Sequence, residues 1–176
     1  MIYVLMTDGF EEIEALTPVD VLRRCGADIK TVGVNSLVVK GSHNVPVQCD
    51  ILFEDIDKHN MDMLILPGGP GHTELKADKV QQLIRYAADN DIYVAAICAA
   101  PSVPGEMGLL SGRKATCFPG FEQELKGAEV TDEKVVVDGK FITAKGPGVA
   151  GEFAFVLAET MCGSEKAREV KDAMQY

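Results

Sequence analysis

The stretch IYVAAICAAPS, residues 92–102, decides the fold class that the sequence predicts. It begins as a short apolar run typical of a buried strand. It ends near Pro101, which suits the first turn of a helix because its missing N–H costs nothing there. Cys98 lies between the two, with the small residues Ala96 and Ala100 on either side. A strand, a tight turn that carries a nucleophile and a helix together form a nucleophile elbow, which we therefore expect at Cys98.

Two interpretations of Cys98 are open from this stretch alone. Free cysteine is among the most buried residue types and often serves only as a small apolar side chain. At a helix N-terminus, however, the pKa of a thiol falls and the reactive thiolate is favoured. We expect a short helix from the elbow to about Leu110, so its position favours a reactive Cys98.

Strand patterns and helical patterns alternate along the rest of the chain. Strands are predicted in IYVLM (2–6), DIKTVGV (28–34), DMLILPGG (62–69) and IYVAAIC (92–98), with a hairpin in KVVVDGKFITAKG (134–146). Further helices are predicted in 11–26, around 79–89, in 151–163 and in 164–174. Residues 36–55 have weaker strand signals, which indicate an edge strand or a small hairpin. The alternation predicts one α/β domain over residues 1–176, with a mostly parallel sheet and helices on both faces.

Composition excludes several function classes. The 176 residues carry a formal net charge of −10, which argues against binding nucleic acid or an anionic membrane. The five cysteines are widely spaced without a C-x-x-C pair, so neither a disulfide framework nor a zinc ribbon is predicted. The N-terminus lacks the basic region of a signal peptide, and no apolar segment approaches the ~18 residues that span a bilayer. We expect a cytoplasmic protein with free thiols, no metal and no cofactor.

Four strand ends carry unusual sequence, and a parallel sheet would bring them to one edge. They are TDGFEEIE after the first strand, LPGGPG, CAAP and KGPG. Glycines such as Gly68 and Gly69 let backbone N–H groups approach a neighbouring group closely. The N–H groups of Gly69 and Ala99 could then form an oxyanion hole, although an ordinary strand-to-loop turn would use the same residues.

Glu14 is the carboxylate that the helical pattern turns inward. It shares a stripe with Pro18, Val21 and Cys25, which carry no charge. Burial raises the pKa of a carboxyl, so Glu14 could donate a hydrogen bond to a thiolate or shuttle a proton.

The neighbouring glutamates have a simpler interpretation. Glu11 is expected to be solvated and to complement the helix dipole, whereas the role of Glu12 stays open. Among the histidines, which form no metal-binding pattern, His72 follows LPGGPG and should lie near the same edge.

The segment GPGVAG, residues 146–151, matches the glycine pattern of a dinucleotide site. No strand follows it to carry the acid that binds the ribose, so we interpret it as a turn that leads into the helix at 151–163.

Together, DGFEEIEALTPVDVLRR, LPGG, AAICAAP and GPG with the following EFA resemble the ThiJ/PfpI superfamily, in the branch of the parkinsonism-associated protein deglycase. The resemblance extends from Ile2 to about Met174. It implies a flavodoxin-like three-layer sandwich and a homodimer. It also implies that Cys98 is the reactive cysteine, that Glu14 is its partner carboxylate, and that Gly69 and Ala99 supply the backbone donors.

The family implies two functions. The first is a cofactor-free glyoxalase or deglycase acting on methylglyoxal or its adducts; the second is a redox-sensing stress protein or chaperone whose cysteine becomes a sulfinate without turnover. Peptidase-like members carry a histidine directly after the cysteine, where this chain has Ala99, which argues against peptidase activity.

One position departs from the family pattern. Many members of the branch carry a histidine before a proline downstream of the elbow, where this chain has Phe118 before Pro119. Either the Cys98–Glu14 dyad suffices, or a group such as His72, or His43 of the partner subunit, assists.

Overall fold

The computed structural model describes residues 1–176 and contains eleven strands and five α-helices. The strands are β1 (Ile2–Met6), β2 (Ile29–Gly33), β3 (Val38–Lys40), β4 (Pro46–Gln48), β5 (Ile51–Leu52), β6 (Met63–Leu66), β7 (Tyr93–Ile97), β8 (Lys114–Ala115), β9 (Glu129–Val130), β10 (Val135–Asp138) and β11 (Phe141–Ala144). The α-helices are α1 (Glu12–Arg24), α2 (Asp78–Asp89), α3 (Ser102–Glu106), α4 (Ala150–Cys162) and α5 (Ser164–Ala173).

Seven strands form the central sheet, in the order β10-β11-β7-β6-β1-β2-β5. Every neighbouring pair is parallel except the predicted hairpin β10–β11. The strands β1, β6, β7 and β11 are neighbours, so their carboxyl ends meet at one edge, as expected. Residues 36–55 provide both predicted elements, because the hairpin β3–β4 is followed by the edge strand β5.

The core has two halves, one on each face of the sheet. Along β1, Ile2, Val4 and Met6 face the half that includes α1 and α4, whereas Tyr3 and Leu5 face the half that includes α2. This alternation is the two-residue period of a strand whose faces are both buried. The result is the predicted three-layer, flavodoxin-like α/β sandwich. None of the helices is long and apolar enough to span a bilayer.

The helix after the elbow is shorter than predicted. α3 ends at Glu106 instead of near Leu110. Gly105 lies inside it and Gly108 follows in the left-handed region, with φ of 75°, and glycine disfavours a continuing helix. The strands β8 and β9 have no counterpart in the sequence analysis, because two residues are too few to show a period.

Candidate active site

Cys98 has the backbone conformation of an elbow. It follows the last residue of β7, and its φ of 68° lies in the left-handed region that non-glycine residues rarely adopt. The turn is held by hydrogen bonds from the Cys98 N–H to the Ala144 carbonyl (2.9 Å) and from the Ala100 N–H to the Ile97 carbonyl (3.1 Å). Such strain costs on the order of 1–3 kcal/mol and often occurs at active sites. The predicted elbow is confirmed.

Glu14 projects from the first turn of α1 into the same space and is fully buried. Its Oε2 accepts a hydrogen bond from the Gly68 N–H at 2.9 Å. Its Oε1 meets no N–H or O–H donor, and the Cys98 thiol lies within hydrogen-bonding range of the carboxyl. The carboxyl therefore has one fixed oxygen and one oxygen left for the thiol or for a substrate.

Glu11 differs from the sequence expectation. It is only 9% exposed rather than solvated, and its side chain caps α1 by accepting a hydrogen bond from the Glu14 N–H at 2.8 Å. Its own N–H donates to the Gly68 carbonyl at 3.1 Å, which draws the start of α1 into the site. The cap fixes the helix turn that carries Glu14.

Burial governs the titration of the Cys98–Glu14 pair. It raises the pKa of Glu14 to about 7 and, together with the charge on Glu14, raises the pKa of Cys98 to about 12. Hydrogen bonds from the N–H groups of Gly69 and Ala99 oppose this rise, because they lower the pKa of the Cys98 thiol. The expectation that the following helix lowers the thiol pKa is wrong, because α3 has five residues and desolvation dominates. The pair thus loses one proton near neutral pH, and the negative charge lies on Glu14 because the pKa of Cys98 is much higher.

Gly68 leaves no room for a side chain between the two functional groups. A Cβ at this position would lie 2.6 Å from Glu14 Oε2, 2.7 Å from Cys98 Cβ and 2.9 Å from the Ile97 carbonyl oxygen. Gly69 follows with φ of 84°, which turns its N–H toward the sulfur. The glycines of LPGG therefore set the distance between carboxyl and thiol.

The Gly68→Ala variant is expected to lose about 2 kcal/mol or more of its unfolding free energy, because overpacking displaces its neighbours. Chemical denaturation measures this loss. Gly148→Ala is the matched control, since a Cβ there meets nothing within 4 Å and the residue also lies in a loop after a strand. Equal stability of the two variants would contradict the crowding.

The predicted auxiliary histidines lie in different places. His72 is near the expected edge, and its Nδ1 donates a hydrogen bond to the Gly69 carbonyl at 2.9 Å. Its ring packs edge-on against Phe121, with centroids 5.3 Å apart. The His72 side chain therefore contacts the backbone of the loop that carries Gly69, and nothing in the sequence signalled its contact with Phe121.

His43 lies on the turn between β3 and β4 and binds Glu12 instead of the dyad. Its Nδ1 lies 2.8 Å from Glu12 Oε2, and its N–H donates to Glu12 Oε1 at 2.7 Å. Although burial opposes the shift, these hydrogen bonds lower the pKa of Glu12 to about 2. With Glu11, the two side chains place three potential metal-ligand atoms within 4.8 Å of one another, but the mutual hydrogen bonds already occupy them.

Phe118 lies beside the elbow, at the position where many members of the family branch described above carry a histidine. Its N–H donates to the Cys98 carbonyl at 2.8 Å. Its ring is 43% exposed and lies 3.1 Å from where a Cβ of Gly146 would stand. Phe118 therefore contacts the elbow through its backbone, and its ring, instead of an imidazole, lies beside Gly146.

Comparisons with known proteins identify the family of the chain. Residues 1–160 match the model of the DJ-1/PfpI family. The chain belongs to this family. It is 37% identical over 172 residues to Protein dj-1beta of Drosophila melanogaster, covering 95% of this chain and 92% of that protein. The crystal structure of Drosophila melanogaster DJ-1beta superposes with a TM-score of 0.94 at 35% identity, covering 99% of this chain and 96% of that one. The resemblance to the ThiJ/PfpI superfamily is thereby confirmed.

Other family members have names that refer to an activity. The chain is 31% identical over 170 residues to the Glutathione-independent glyoxalase DJR-1.2 of Caenorhabditis elegans (95% of this chain, 91% of that protein). It is 29% identical over 150 residues to the Deglycase PYRAB04690 of Pyrococcus abyssi (84% and 90%). Protein DJ-1 homolog B of Arabidopsis thaliana is 37% identical over 176 residues, and there the match covers 98% of this chain but only 40% of the longer relative.

Proposed function

We propose that this protein is a cofactor-free, cysteine-dependent glyoxalase or protein deglycase that acts on methylglyoxal or its adducts. The observation that carries the proposal is the buried carboxyl of Glu14, which lies beside the Cys98 thiol and whose Oε1 accepts no hydrogen bond within the protein. A nucleophile and a proton carrier are then held together, away from bulk water. Family members named as a glyoxalase and a deglycase support the same chemistry.

The first step forms a bond between the Cys98 sulfur and the aldehyde carbon of methylglyoxal. Near neutral pH Glu14 is largely a carboxylate while Cys98 keeps its proton, so Glu14 takes the thiol proton as general base when the sulfur attacks. As the sulfur attacks, the electron pair of the C=O bond moves to oxygen, which accepts hydrogen bonds from the N–H groups of Gly69 and Ala99. Glu14 then gives its proton to this oxygen, and the product is a hemithioacetal on Cys98.

The next steps move a proton between the two carbons. The Glu14 carboxylate removes the hydrogen from the former aldehyde carbon, giving an enediolate whose negative charge lies on the neighbouring oxygen. Glu14 returns the proton to the neighbouring carbon, and the hydroxyl proton of the first carbon moves to the neighbouring oxygen as the first C=O bond re-forms. The resulting lactoyl thioester is cleaved by water, which releases lactate and restores the thiol. Overall, one methylglyoxal and one water give one lactic acid, and no external oxidant or reductant takes part.

We further propose that the protein acts as a cytoplasmic homodimer. Ile13 on α1 and Val38 and Val45 on the neighbouring hairpin β3–β4 are exposed apolar side chains on adjoining elements, which a second copy could cover. His43 lies on the same hairpin and is held by Glu12 in its own subunit. In the proposed dimer, His43 would therefore assist the Cys98 of the other subunit, across the interface.

The decisive experiment incubates the purified protein with methylglyoxal, without glutathione or added metal, and measures lactate. We expect steady production of lactate with many turnovers per protein, and release of a methylglyoxal adduct from N-acetyl-cysteine would indicate deglycase activity. An absence of both products from folded protein would overturn the proposal.

One observation favours the redox sensor as a second candidate. The half-buried Cys98 sulfur faces two N–H groups and the Glu14 carboxyl, which are suitable donors for the oxygens of a sulfinate. Mild peroxide is then expected to add two oxygens to Cys98 in intact-mass and peptide analysis, without consumption of 2-oxoaldehydes. Oxidation of Cys98 no faster than that of Cys25 would count against this function.

A further inference from the structure

Two further thiols, those of Cys25 and Cys162, lie at the opposite end of the sheet from Cys98. Cys25 directly follows α1, and Cys162 is the last residue of α4. Both line a cavity of about 360 Å³ beside Met1, Ile2 and Asp28, at the amino ends of β1 and β2. Because a five-residue strand is ~16 Å long, this pair is separate from the elbow at the carboxyl ends.

The two sulfurs are neighbours. Both thiols line the same cavity, each shifts the pKa of the other, and both side chains pack in the half of the core between α1 and α4. No third histidine, cysteine or carboxylate completes a cluster of metal-ligand atoms with them, so the pair falls short of the four ligands of a structural zinc site.

The backbone at both positions has room to adjust. Each cysteine precedes a glycine in the left-handed region, with φ of 79° at Gly26 and 87° at Gly163. A Cβ on either glycine would meet nothing within 4 Å. The two helix ends therefore have free space beside the cysteines, into which the backbone can adjust as the sulfurs approach the ~2.05 Å of a disulfide.

We propose that Cys25 and Cys162 form a reversible intramolecular disulfide when the protein meets hydrogen peroxide, so that the pair is a second redox site independent of Cys98. The half-buried Cys162 reacts with the peroxide, and the buried Cys25 then attacks the oxidised sulfur to form the disulfide.

The reaction balances in two steps. The Cys162 thiolate attacks one peroxide oxygen and breaks the O–O bond, giving a sulfenic acid and, after protonation, one water. The Cys25 sulfur then attacks the Cys162 sulfur and expels hydroxide, which becomes a second water. Two thiols lose two electrons and two protons, and one hydrogen peroxide is reduced to two waters.

The local charges suit this division of roles. Burial raises the pKa of both thiols, while the hydrogen bond from Cys25 lowers that of Cys162. The Lys166 ammonium, beside the same cavity, favours the thiolate of Cys25, and Glu169 opposes it. The Cys162 sulfur raises the pKa of Cys25 further, so Cys162 is the first of the two thiols to ionise.

The test uses the full-length Cys98→Ser protein, so that oxidation at the elbow does not contribute. After peroxide, free thiols are alkylated and the unreduced peptides are analysed by mass spectrometry. We expect a Cys25–Cys162 cross-linked peptide that has lost two hydrogens and disappears with dithiothreitol. We also expect the melting temperature to rise by roughly 5–10 °C on oxidation.

Matched variants decide the outcome. Adding Cys162→Ser, at a half-exposed position, should abolish both the cross-link and the thermal shift, whereas adding Cys49→Ser should leave both in place. Alkylated Cys25 beside a sulfinic Cys162, or a Cys162–Cys162 bond between two chains, would overturn the proposal. Because neither readout requires turnover, this result is independent of the proposed enzyme activity.

Discussion

Replacement of Cys98 by serine is expected to lower the production of lactate from methylglyoxal by roughly a thousandfold or more. Serine keeps nearly the same shape and accepts the left-handed backbone about as well as cysteine does. Its hydroxyl, however, is a far weaker nucleophile than a thiol, and no histidine lies beside it to act as a base. The expected loss is therefore chemical, and kcat should fall while the melting temperature stays close to that of the wild type.

The control for this variant is Cys162→Ser, which changes a half-buried thiol at the other end of the sheet. It should retain lactate production within about twofold of the wild type under reducing conditions. A Cys98→Ser protein that keeps more than a tenth of the activity would remove Cys98 from the nucleophile role.

Glu14→Gln is expected to reduce kcat by roughly 10²–10⁴-fold, the usual contribution of general acid–base catalysis. The amide still fits the buried space and can still accept the Gly68 N–H, but it cannot carry a proton between two carbons. If Glu14 only oriented the thiol, kcat would fall by a few-fold at most.

The same variant should also change how stability depends on pH. The Glu14 carboxyl has its ordinary pKa of 4.5 in the unfolded chain and about 7 in the folded protein. Between these values the unfolded chain releases its proton first, so the folded state loses up to about 3 kcal/mol as the pH rises through that window. Glutamine does not ionise. The free energy of unfolding of Glu14→Gln, relative to the wild type, should therefore increase between about pH 4 and pH 8.

Glu159→Gln tests whether this pH effect belongs to the buried carboxyl. Glu159 is exposed on α4, and its replacement should leave the pH dependence of unfolding parallel to that of the wild type. Urea titrations at several pH values supply the comparison. Parallel curves for Glu14→Gln as well would mean that Glu14 does not titrate differently in the folded protein.

Most of the fold was predictable because its signals are local. The run before Cys98, the apolar strand 2–6 and the turn through Gly139 each carry their pattern within a few residues. The placing of four strand ends at one edge of the sheet followed from the alternation of strands and helices. The meeting of LPGG with the elbow at Cys98 then required only parallel neighbours.

The parts of the site that were missed depend on contacts between distant segments. The burial of Glu11 comes from its hydrogen bond to Gly68, and no pattern within α1 indicates it. The pKa of Cys98 depends on desolvation by the whole surrounding core, which outweighs a short helix. The adjacency of Cys25 and Cys162 arises where α1 and α4 end side by side, far apart in sequence.

The crowding at Gly68 has a consequence for large-scale mutagenesis. A scan that scores each substitution by residual activity would place Gly68 beside Cys98 and Glu14 among the least tolerant positions, although glycine has no reactive group. Only a parallel score for protein abundance would separate them, since Cys98 and Glu14 variants should accumulate normally while Gly68 variants are depleted. At Gly68, the loss of activity on substitution would reflect the lack of space for a side chain and not a chemical role of the residue.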